Sequence, residues 1–266
     1  MSELEGSQPV AGERVPVIAT RGITKHFGSV QALRGVDLEV YGGEVLGLVG
    51  DNGAGKSTLV NILSGAFQPN SGSMFVDGKH VTFGSSLEAR RSGIETVYQD
   101  LSLVEPLSGT ANIFLGRELL RSGVASRLLR LIDKQRMRAR VHDVLSDLGA
   151  RIPSVDSPVF ELSGGQRQAL AIARAVLFGR NIVILDEPTA ALGVRETAHV
   201  LEIIGRLKSS GCSVVIVSHN IEQLMGCADR VTVMRLGLTV GVRTIADTTP
   251  EEIISMITGV SGSPSE

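Results

Sequence analysis

The run Gly50-Asp51-Asn52-Gly53-Ala54-Gly55-Lys56-Ser57, continued by Thr58, places glycines, a lysine and hydroxyls at a spacing that can wrap a chain of phosphates. Glycines let the backbone fold tightly, so that consecutive N–H groups converge on phosphate oxygens. A helix starting there adds its positive N-terminal end. Lys56 can pair with β- and γ-phosphates, and Ser57 can offer its hydroxyl to Mg²⁺. A second constellation is Asp186-Glu187, at the end of the apolar run NIVILD. There Asp186 can hold the metal ion through water, and Glu187 can activate or position an attacking water. A lone Asp-Glu pair would as readily cap a helix; beside a phosphate loop it reads as hydrolytic. His219 closes SVVIVSH. At the C-terminal end of a parallel strand, where open α/β sheets gather their ligands, a histidine can hydrogen-bond a γ-phosphate.

A third motif, Leu162-Ser163-Gly164-Gly165-Gln166, opens a helical pattern marked by Ala169, Leu170, Ile172, Ala173 and Val176. It is a second anion site: Ser163 offers a hydroxyl, and Gly164 and Gly165 expose N–H groups at a helix start. Taken alone it would be an N-cap with flexible glycines. Its order, after the phosphate loop and just before the Asp-Glu strand, gives it more weight.

The elements that position these groups follow from pattern. EVLGLVG (44–50), NIVILD (181–186) and SVVIVS (213–218) are apolar without alternation, as strands buried on both faces are. A helical pattern follows each; after the first, Leu59, Val60, Ile62 and Leu63 share a face and Gly65 is a C-cap. Strand, glycine turn and helix in repetition predict an α/β core with a largely parallel sheet. Between about 100 and 160 the strand-like runs give way to stretches that read as helices, ANIFLGRELL and RLLRLIDKQRMRARVHDVLSDLG among them, a helical subdomain inserted in that core. RVTVMRL and LTVGVRT read as a hairpin, and PEEIISMITG as a closing helix with Pro250 in its first turn.

Composition bounds the rest. The 266 residues suit one large domain with an insertion. With 26 basic and 28 acidic side chains the net charge is -2, and aromatics are 3%, which argues against a nucleic-acid binder. Cys212 and Cys227 read as small residues near a core in a reducing compartment. No apolar run approaches the roughly 18 residues of a membrane span. The segment MSELEGSQPVAGERVP has early acids and no apolar centre, so it reads as a flexible tail (1–16) rather than a secretory signal. The domain is expected at 17–259, with a second tail at 260–266.

Together these motifs resemble the ABC (ATP-binding cassette) ATPases across residues 17 to 259. The resemblance implies a RecA-like P-loop core, an antiparallel β part and a helical subdomain, with ATP and Mg²⁺ as cofactors. It also implies a head-to-tail pair of cassettes, the LSGGQ segment of one closing over the ATP held by the other, so that this chain would work with a second copy of itself. By the same resemblance Phe27, in TKHFG, stacks on adenine, and Gln99, in TVYQD, senses Mg²⁺ and couples the site to membrane subunits bordering about 100–117. Taken alone, Phe27 reads as a packed aromatic and Gln99 as a solvated amide. After EPTAAL the family usually has Asp; here that position is Gly193, which removes a carboxylate from a loop that crosses the dimer interface. The segments GDNGAGKSTLVNILSGAFQPNSG, VYQDLSLVEPLSGTANIFLGRE, ADRVTVMRLG and MITG resemble the monosaccharide importers of ribose, xylose and fructose type. That implies partners in a membrane permease and, indirectly, a periplasmic sugar-binding protein, at the cytoplasmic face of a bacterial inner membrane. A transporter for another solute and a soluble ABC assembly ATPase are the alternatives.

Overall fold

The computed structural model describes residues 14–123, 129–179 and 181–259. The 260–266 tail and residues 1–13 of the other lie outside the described residues. Its strands, in chain order, are β1 (Ile18–Phe27), β2 (Val30–Val40), β3 (Val45–Val49), β4 (Ser71–Val76) and β5 (Lys79–Val81). They continue with β6 (Ile94–Val97), β7 (Ile182–Asp186), β8 (Ser213–Val217), β9 (Arg230–Arg235) and β10 (Leu238–Thr244). The helices are α1 (Lys56–Leu63), α2 (Ser86–Arg91), α3 (Gly109–Phe114) and α4 (Lys134–Asp147). After them come α5 (Gly164–Phe178), α6 (Val194–Ser209), α7 (Ile221–Cys227) and α8 (Pro250–Thr258).

The three unalternating apolar runs become β3, β7 and β8, neighbours in a sheet ordered β10-β9-β3-β8-β7-β6. All its pairings are parallel except the β9–β10 hairpin. Each buried strand feeds two cores. Leu46, Leu48, Ile182, Ile184, Val215 and Val217 point to one face, where α1 and the antiparallel sheet β2-β1-β4-β5 lie. Val45, Val49, Val183, Leu185, Val214 and Ile216 point to the other, packed with residues of α4, α5 and α6. Period-two alternation therefore exists, but both faces are dry, so polarity does not reveal it. The antiparallel sheet stays attached through Arg34 N–H, which donates to Gly237 O at 2.7 Å, and Thr239 Oγ1, which donates to Asp37 O at 2.7 Å.

Among the described residues, the region 100–160 is less helical than expected. Ser108 caps α3, but Gly116, at φ 73°, lies past its end, and Leu115–Glu118 lies outside the helix. Leu120 pairs with Ile132 in an isolated antiparallel bridge, so the RELL and RLID ends of the two expected helices are not helical. Asp133 explains the late start of α4: its carboxylate accepts the Arg136 N–H at 3.1 Å, which fixes the N-cap there. The part of RLLRLID at 127–128 falls outside the described residues. The hairpin and the closing helix, with Pro250 in its first turn, form as the sequence predicts.

Candidate functional site

Parallel strands end together, and the chemistry-bearing residues sit at that end. The loop 50–55 leaves β3 and runs into α1. Two glycines there tolerate no side chain. At Gly50 (φ 154°) a Cβ would lie 2.2 Å from Met234 O, and at Gly55 (φ 102°) it would lie 2.6 Å from Leu33 Cδ2. The left-handed backbone at Gly55 starts α1 at Lys56. Asp51, Asn52, Gly53 and Ser57 are exposed, while Ala54 is buried beneath them. The cradle thus opens outward.

Lys56 Nζ donates to Gly50 O at 2.6 Å and Asp51 O at 3.0 Å, which holds the amine across the loop. Burial pulls its pKa below the usual lysine value, against the opposing charges of Glu187, Asp51 and Asp186. Asp186, at the end of β7, has its carboxyl pushed up, first by burial and then by Glu187, with Lys56 acting the other way. An anion so placed favours a cation beside it.

Glu187 adopts φ 50°, a strained value for a side chain of its size. Its N–H donates to Val217 O at 2.9 Å, which splices the end of β7 to β8, and its O accepts the Ala190 N–H at 3.3 Å. His219, just past β8, brings Nδ1 to 2.9 Å from Glu187 Oε2. The imidazole is 71% exposed and the carboxylate 16%, so the ring covers a largely sequestered acid. Lys56, Asp186, Glu187 and His219 therefore form one cluster.

The LSGGQ segment forms the start of α5 and lies outside that cluster. Ser163 and Gln166 make a reciprocal cap: Ser163 Oγ accepts the Gln166 N–H at 3.4 Å, and Gln166 Oε1 accepts the Ser163 N–H at 2.9 Å. Ser163 and Gly164 are exposed. Among the described residues, side-chain hydrogen bonds at this start run within it, to Glu196 and from Arg167 to Leu162 O, not to the 50–58 loop. One chain thus presents two helix starts with exposed residues, at 51–57 and at 163–164, while Gly165 is buried.

Phe27 lies at the end of β1, 45% exposed, edge-on to Phe67 with centroids 5.5 Å apart. Lys25 Nζ lies 5.2 Å from the Phe27 centroid, a cation–π contact. Gln99 is exposed just beyond β6, on the same end of the sheet as Asp186. The donor set fits Mg²⁺. No group of three or more His, Cys, Asp or Glu able to hold a metal occurs among the described residues, and a hydroxyl, an amide and one carboxylate suit an ion that keeps waters and phosphate oxygens.

Two residues carried no sequence signal. Arg174, on α5, donates to Leu101 O at 2.8 Å and Ser102 O at 3.1 Å, tying the stretch after Gln99 to the LSGGQ helix. Glu196 caps α6 at Gly193 and reaches Gly165. The spacing Gly193-x-x-Glu196 is half of a capping box; without a hydroxyl at its first position it is easily passed over.

Comparison with known proteins decides the family. The model of the "ABC transporter" family matches residues 33–190, more than half of the chain. The chain belongs to the ABC transporter family. It is an ATPase cassette, 42% identical over 252 residues to the fructose import ATP-binding protein FrcA of Rhizobium meliloti, covering 94% of this chain and 97% of that protein. It is 44% identical over 242 residues to the xylose/arabinose import ATP-binding protein XylG of Sulfolobus acidocaldarius, covering 91% and 94%. Against a ribose import ATP-binding protein, RbsA 1 of Rubrobacter xylanophilus, the identity is 43%, but the chain spans only 48% of that protein's length. Among solved structures, a nucleotide-free ATP-binding cassette from an ABC transporter superposes with TM-score 0.76 at 24% identity, over 92% of this chain and 96% of that one. A dimeric bacterial ABC transporter cassette superposes with TM-score 0.71 at 23% identity, over 86% and 98%. These two establish the fold. No helix among the described residues is long and apolar enough to cross a membrane.

Proposed function

We propose that this cassette is the ATP-binding subunit of a monosaccharide importer, acting as a head-to-tail homodimer beneath a membrane permease at the cytoplasmic face. The observation that carries the reading is the near full-length likeness to two proteins named for import of monosaccharides, each covered over more than nine-tenths of its length. Their sugars differ at similar identity, so the likeness points to the class rather than to one sugar. A periplasmic sugar-binding protein would deliver that sugar to the permease.

The site residues take these roles. The N–H groups of 50–58 and the Lys56 ammonium hold the β- and γ-phosphates, with Phe27 against the adenine. Ser57, Asp186 and Gln99 would hold Mg²⁺, which when bound draws charge from the phosphate oxygens. Glu187 orients the attacking water and accepts its proton, and His219, hydrogen-bonded to Glu187, turns its other ring nitrogen toward the γ-phosphate. Ser163, Gly164, Gly165 and Gln166 of the second copy close over the same triphosphate. Support for this closure comes from the exposure of Asp51, Asn52 and Gly53 in one loop and of Ser163 and Gly164 at the other helix start.

The test is co-purification followed by reconstitution. Recovery with an integral-membrane permease, and ATP turnover raised by a monosaccharide with its binding protein, is the expected result. Recovery with soluble scaffold proteins alone, or stimulation only by a non-sugar solute, would overturn it.

A further inference from the structure

Glu196 lies in the first turn of α6 and reaches across to α5. Its Oε2 accepts the Gly193 N–H at 3.3 Å, and its Oε1 accepts the Gly165 N–H at 3.4 Å. The Ser163 hydroxyl first, then the Gly165 and Gly193 N–H groups, hold this carboxyl below the usual glutamate range. Contact continues down the side chain: a Cβ at Gly165 would stand 3.0 Å from Glu196 Cβ and 3.2 Å from its Cγ. The absence of a side chain at 165 is therefore what lets the carboxylate reach the helix start.

Ser163 and Gly165 are also donors that the proposed closure gives to the triphosphate of the second copy. One N–H cannot serve two anions fully, and a carboxylate beside a γ-phosphate repels it. The carboxylate has a second partner to stay on, since its Oε2 accepts the Gly193 N–H.

We propose that Glu196 is a positioning residue of the composite site: its carboxylate holds the Gly165 N–H, next to the Ser163 cap, within one copy and yields it to the triphosphate carried by the other. Glu196 thereby sets how much ATP is needed to close the dimer. It also links the loop that follows Glu187 to the LSGGQ helix, where Gly193 supplies no carboxylate of its own. The inference rests on the head-to-tail reading above.

The experiment uses the full chain with Glu187→Gln, which retains ATP, and reads by sedimentation velocity the ATP concentration giving half-maximal dimer. Adding Glu196→Gln, which keeps an acceptor for the α6 cap, should lower that midpoint about threefold, the scale of one charge at a helix end. Glu196→Ala should lower it as well, while reducing thermal stability through the lost cap. A residue that only caps α6 would leave the midpoint unchanged or raise it, and either result overturns the inference. If the Glu187→Gln chain alone stays monomeric at saturating ATP, the head-to-tail reading itself fails, and the role of Glu196 falls with it.

Discussion

Lys56 and Glu187 lie close enough for their charges to interact, and substitutions separate their roles. In the proposed arrangement Lys56 holds phosphate charge at a loop whose other donors are neutral N–H groups. Lys56→Ala removes a charge-assisted partner of the kind worth about 2 kcal/mol, so ATP affinity should fall roughly thirtyfold in equilibrium binding. Glu187 contacts no phosphate in the proposed arrangement. Glu187→Gln should leave that affinity within about twofold while cutting turnover by on the order of a hundredfold or more, the contribution expected of a positioned base. Equal losses of affinity in both variants would contradict the division of labour. Residue types and spacing made Lys56, Asp186, Glu187 and Ser163 legible in the sequence. The bond from His219 to Glu187 was not legible, because it joins positions 32 residues apart through a strained turn at Glu187.

Elements decide whether those residues meet. The end of β3 abuts the backbone of β9, and Gly50 fits only because it lacks a Cβ. Gly50→Ala must push Met234 or bend the loop, at a cost of about 2 kcal/mol or more. Urea denaturation should show that loss, and ATP binding should weaken with it. Gly53→Ala makes a useful contrast, since its added Cβ would meet nothing within 4 Å and only its φ of 80° opposes it. The buried strands were readable because they are apolar on both faces. β1 was harder: Gly22 interrupts it at φ 59°, and register shifts against β2 break the alternation that would have marked it. The stretches 115–120 and 129–133 misled for the opposite reason. Their leucines suit a helix, but Gly116 follows the end of one helix and Asp133 caps the start of the next, with the Leu120–Ile132 bridge between. Composition favoured helix, and cap chemistry overrode it.

At the scale of the whole molecule the account depends on two copies completing each other's sites. The two native cysteines favour a covalent test, since burial raises both thiols to about 11, with Asp229 adding to Cys227, and leaves them poorly reactive near neutral pH. One chain carries Asn52→Cys, in the exposed phosphate loop, and the other Ser163→Cys, at the exposed start of α5, both with Glu187→Gln. Labelling with a thiol reagent first confirms that both new cysteines react. The chains are then mixed with ATP under mild oxidation and resolved without reductant. The account predicts a disulfide-linked heterodimer that forms with ATP and is strongly reduced without it. A mixture in which both thiols label freely, yet no ATP-dependent cross-link forms, would contradict it.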